Sequence, residues 1–89
     1  MKKLYLEVTF RRGQAIAGYL YLPRQTTDKV HKTSREHPGI VIDFNDTGKP
    51  IGIEITAPAY TTLSTINSIL MKYGIPQITD EEVAPLRAA

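Results

Sequence analysis

Leu4, Leu6, Val8 and Phe10 alternate with Tyr5, Glu7 and Thr9, the period of two that marks a half-buried strand. Arg11-Arg12-Gly13-Gln14 then supplies a turn, so a hairpin is predicted. Its second strand runs from Ala15 to Leu22 and ends at Pro23, which has no ladder donor. Gly18 inside that strand predicts a bulge or a close backbone approach. Residues 24–38 are polar, with Val30 as the one aliphatic side chain and no period to read. They are read as a mobile or functional loop, an edge strand being the alternative.

Gly39-Ile40-Val41-Ile42-Asp43-Phe44 and Ile51-Gly52-Ile53-Glu54-Ile55-Thr56 are dense in β-branched residues and predict a second hairpin. Asn45-Asp46-Thr47-Gly48-Lys49 reads as its turn, closed by a left-handed glycine. Two registers compete. Turn chemistry sets Phe44 opposite Pro50, which separates Asp43 from Glu54. Hydrophobic pattern sets Phe44 opposite Ile51 and puts Asp43 and Glu54 on one face; it is preferred, because a buried face determines register more strongly.

Thr61 or Thr62 caps a helix running to about Tyr73, with Gly74 as its stop and Leu63, Ile66, Leu70 and Tyr73 on one stripe beside Ile69. Thr79-Asp80-Glu81-Glu82 is a capping box that opens a short helix truncated by Pro85, and residues 84–89 are expected to fray. The fold class is α+β: an antiparallel sheet of about four strands in two hairpins, covered by one C-terminal helix, with a second short helix. At 89 residues the chain is read as a single domain over 1–89.

No cysteine is present, which excludes disulfides, thiolate metal sites and cysteine nucleophiles. Glu7 interrupts the N-terminal apolar run and no segment of about 20 apolar residues occurs, so a cytoplasmic protein is expected. Charge is uneven. Eight Lys/Arg face three acids through His37, and three face six from Pro38 onward. Such asymmetry suits nucleic acid, self-complementary docking of two copies, or a plain solvated surface.

The dinucleotide, P-loop, zinc-protease, esterase and EF-hand patterns are all absent, and no cofactor is implied. His31 and His37, six apart, match neither a helix turn nor one face of a strand. Asp43 and Glu54 on adjacent strands would bind a cation or divide acid and base roles if burial separated their pKa values, with His31 or His37 brought in by the loop. Tyr19 and Tyr21, with Tyr5, would stack on bases beside Lys2, Lys3, Arg11 and Arg12. Each set has an ordinary reading as well: solvated loop histidines, turn-capping carboxylates and cross-strand tyrosine packing.

The run His37-Pro38-Gly39-Ile40-Val41-Ile42-Asp43-Phe44-Asn45-Asp46-Thr47-Gly48-Lys49-Pro50-Ile51-Gly52-Ile53-Glu54-Ile55 resembles the hallmark of the domain of unknown function 2283 family of small bacterial proteins. That hallmark is an aliphatic strand ending in Asp and an aromatic, an Asp/Gly-rich turn, and a Gly-Ile-Glu-Ile strand. Ala17-Gly18-Tyr19-Leu20-Tyr21-Leu22 is similar to the family's earlier tyrosine-containing strand, with Ala17 or Gly18 where an acid often stands. The resemblance implies a compact antiparallel sheet with a helix, no established activity, and frequent placement beside small toxin-like proteins.

The leading reading is a non-enzymatic protein-interaction module that forms homo-oligomers, in one version the antitoxin-like partner of a small toxin. The alternatives are a small metal- or ligand-binding enzyme using Asp43 and Glu54, and a weak nucleic-acid-binding protein.

Overall fold

The computed structural model describes residues 4–87. Five strands, β1 (Tyr5–Arg11), β2 (Gln14–Tyr21), β3 (Lys32–His37), β4 (Ile40–Phe44) and β5 (Pro50–Ile55), precede α1 (Leu63–Lys72) and α2 (Asp80–Val83). Short 3-10 turns occupy Pro58–Tyr60 and Ala84–Arg87. The sheet is antiparallel throughout, in the order β1-β2-β5-β4-β3. Both expected hairpins are present, joined where β2 pairs with β5. Among the described residues, no helix is long and apolar enough to cross a membrane.

The expected four strands become five because Lys32–His37 pairs with β4, which shortens the loop expected over 24–38. This strand lies at the sheet edge, where every side chain is exposed or half-buried. Backbone pairing holds it without any apolar alternation, so its sequence carries no period.

The β1–β2 turn places Arg12 and Gly13 both at positive φ, 53° and 78°, the mirror-image turn that matches strand twist. In the second hairpin, both competing registers are realised in succession. Phe44 stands opposite Pro50, as turn chemistry requires, and Asp43 stands opposite Gly52, as the hydrophobic pattern requires. A bulge between Asp43 and Phe44 reconciles them, the skipped Ile51 being fully buried. Gly48, at φ 88°, closes the turn.

One sheet face carries Leu20, Leu22, Ile40, Ile42, Phe44, Ile53 and Ile55 into a buried cluster with Ile66, Ile69 and Leu70 of α1. The helix begins on Thr62, whose side chain accepts from the Thr65 amide, and stops before Gly74 at φ 70°. The cover is not one helix. Ile78, Val83 and Leu86 join the same cluster, so the segment after α1 shares the work. The frayed end expected over 84–89 is corrected for 84–87: these residues form a 3-10 turn, and Leu86 is buried against Gly18, where a Cβ would lie 2.6 Å from the Leu86 Cδ2. Residues 88–89 lie outside the described residues. Pro85 does end α2 as expected, and Thr79 and Glu82 form the reciprocal capping box.

Candidate functional site

Strand alternation sends a second set of side chains to the face opposite the core, and the register aligns them in two rows across all five strands. The first row reads Tyr5, Tyr21, Gly52, Asp43, Thr33; the second reads Glu7, Tyr19, Glu54, Val41, Arg35. The expected common face for Asp43 and Glu54 is therefore present. They stand on adjacent strands in neighbouring rows, Asp43 opposite Gly52 and Glu54 opposite Val41.

Gly52 shapes this face by what it lacks. The Tyr19 ring lies across it, in space that a methyl at Gly52 would occupy. From there the Tyr19 hydroxyl donates to Asp43 Oδ2 at 2.7 Å, while Thr33 Oγ1 donates to Asp43 Oδ1 at 2.9 Å. Both carboxylate oxygens are thus engaged, one from adjacent β3 and one from β2 across β5. Burial, followed by the hydrogen bond to Asp43 and its negative charge, pushes the Tyr19 phenol far above its ordinary value. Tyr19 is accordingly a fixed donor at neutral pH.

The remaining aromatics continue the array. Tyr21 meets Tyr19 edge-on at 4.7 Å between centroids, and Tyr5 lies 5.5 Å from Tyr21. The Arg24 guanidinium sits 5.1 Å from the Tyr21 centroid, and the Tyr21 hydroxyl donates to Glu7 at 3.3 Å. Glu7, Glu54, Thr33 and Arg35 are exposed. The face is thus ordered by its own contacts and open to solvent.

The histidines are not drawn into it. His31 precedes β3, where its amide donates to the Phe44 carbonyl, and its side chain lines a shallow basin with Asn45, Asp46 and Thr47. His37 ends β3 and accepts from the Gly39 amide at 3.4 Å. A strand's length separates the two, roughly 20 Å at the usual rise per residue. Among the described residues, no group of three or more His, Asp or Glu is placed to hold a metal ion.

Of the residues considered for nucleic acid, Tyr19 and Tyr21 share the open face, Arg11 ends β1, and Arg12 forms the hairpin turn. Lys2 and Lys3 lie outside the described residues. The tyrosines stand among Glu7, Glu54 and Asp43, three carboxylates on the same surface.

Sequence reasoning missed Thr33, Gly52 and Arg24. Gly52 alone carried a readable signal, since a glycine inside a β-branched strand marks a close approach. A second missed pair fixes the loop before β3: Asn45 Nδ2 donates to Asp28 Oδ1 at 3.1 Å, while Asn45 Oδ1 accepts from the amides of Thr47 and Lys49. The Asp28 carboxyl is held below its usual range, chiefly by the Gln25 amide and then by Asn45.

Residues 17–57, from within β2 to just past β5, match the model of a family described as a protein of unknown function (DUF2283). The resemblance read from His37–Ile55 falls inside that span and is borne out. No curated protein and no solved structure matches the chain.

Proposed function

We propose, from the premise that residues 17–57 carry the domain of unknown function 2283, that the chain is a protein-interaction module that assembles with copies of itself and offers its open sheet face to a protein partner. The observation that carries this reading is the pair of cross-strand rows, fixed by Tyr19 and Thr33 on Asp43 yet left in solvent. Tyrosines presented on a rigid surface lose little conformational entropy on docking, and aromatic residues with arginine anchor interfaces. Asp43 has both oxygens engaged and Tyr19 keeps its proton on Asp43, a pairing that supports a surface of fixed shape.

Site-specific photo-crosslinking in cells tests this. A photoreactive phenylalanine at Tyr5 or Tyr21 should give one discrete adduct that the same probe at Ser68, exposed on α1, does not give. Equal labelling from both sets of positions would overturn the open face as a contact surface.

A further inference from the structure

The two edges of the sheet are built differently. β3 is guarded: it carries Lys32, Arg35 and His37, and its own chain is bulged at Glu36, which is skipped between Arg35 and His37. Such devices discourage further pairing. β1 lacks such a bulge, and its two charges, Glu7 and Arg11, are of opposite sign. The irregularity near Thr9 and Phe10 puts its extra residue, Ile16, on β2, so β1 keeps an unbroken outer edge from Tyr5 to Arg11. Phe10 and Ile16 are 48% and 46% exposed beside it, and Val8 is only partly buried.

We propose that a second copy of this chain pairs along β1, antiparallel, with a two-fold axis at Thr9. The argument is self-complementarity. About that axis, Thr9 meets Thr9, Val8 meets Phe10 of the second copy, and Glu7 meets Arg11 of the second copy. Strand alternation puts Val8 and Phe10 on the core side and Glu7, Thr9 and Arg11 on the open side. Two apolar pairs therefore extend the buried face across the axis, and two opposite-charge pairs stand directly opposed on the other face. Moving the axis by one residue loses this match, since Glu7 then faces Thr9 and Arg11 faces Tyr5. Five strands become a continuous sheet of ten, and the open faces of both copies lie on one side. The inference rests on the interaction-module reading and assigns it one partner and one edge.

Sedimentation of the full chain over a concentration series, with charge reversals, tests it. The unaltered chain should dimerise. Glu7→Arg and Arg11→Glu, each of which opposes like charges twice, should weaken the dimer at least about tenfold. The doubly reversed Glu7→Arg/Arg11→Glu chain should regain it. Circular dichroism confirms that each variant folds, and in the unaltered chain the amides of β1 should gain hydrogen-exchange protection as concentration rises. A chain that stays monomeric overturns the inference. So does a dimer indifferent to both single reversals, or one that the double reversal fails to restore. In these cases the open-face contact is judged separately by crosslinking from Tyr21.

Discussion

At the scale of single residues, Gly52 and Tyr19 act as one unit. A strand glycine ordinarily weakens a sheet, but here its missing side chain is the space in which the Tyr19 phenol reaches Asp43. Gly52→Ala should therefore destabilise the fold by about 1 to 3 kcal/mol, the usual result of overfilling, and should free the Tyr19 hydroxyl. Denaturant melts measure the first effect and ultraviolet titration of the tyrosines the second. The pH dependence has a defined sign. In the folded chain Tyr19 holds its proton above the ordinary phenol value, as does Tyr73, which is raised by burial and then by the Glu36 charge. The stabilisation is complete below about pH 10, where the unfolded chain is also protonated, and is lost as pH rises beyond that value. The melting temperature should fall in that alkaline range, and Tyr19→Phe should make the fall shallower. An unchanged slope would show that Tyr19 titrates alike in both states. At the first hairpin turn, Arg12 holds a left-handed conformation that Asn tolerates better. Arg12→Asn should raise stability by roughly 0.5 to 1 kcal/mol in the same melts.

At the scale of elements, the clearest coupling joins Gly18 of β2 to Leu86 of the terminal 3-10 turn. Leu86 fills the place of a Gly18 side chain, so Leu86→Ala should cost about 2 to 5 kcal/mol and Gly18→Ala about 1 to 3. Combined, they should cost less than the sum by at least about 0.5 kcal/mol, because the added methyl enters the space the leucine leaves. Additive costs would show that the two residues do not share that space. The glycine's close approach was legible as a break in strand pattern, but its partner was not, since contact across nearly seventy positions leaves no local period. The same distinction runs through the fold. β1, β2, β4, β5, α1 and the capping box of α2 were readable because each has a hydrophobic period or a cap that local physics requires. β3 was unreadable because Thr33 and Arg35 face solvent and Ser34 and Glu36 stand at the rim of the core face, so neither side alternates with an apolar residue. Of the site, the shared face of Asp43 and Glu54 followed from pattern. The diagonal reach of Tyr19 and the donation from Thr33 needed the strand order.

Strand order also decides what the uneven charge means for the molecule as a whole. Along the chain, basic residues crowd the first half and acids the second. In space, β4 and β5 from the acidic half are inserted between β2 and β3 from the basic half. The open face consequently sets Glu7, Glu54 and Asp43 among Arg11, Arg35 and Arg24, and Glu36 of β3 accepts from Lys72 of α1 at 2.7 Å. A nucleic-acid surface requires cations aligned along a backbone, with stacking rings free of neighbouring carboxylates. Here the rings of Tyr19 and Tyr21 have acids beside them, Asp43 on Tyr19 and Glu7 on Tyr21. Single-stranded and duplex oligonucleotides should therefore stay free of the protein in a gel shift at low salt, where electrostatic attraction is strongest. Retention that declines steeply as salt is added would mean that the basic residues act together despite the intervening acids. Glu54→Gln should leave the result unchanged, because removing one carboxylate from this face still leaves Glu7 and Asp43 between the tyrosines and any phosphate.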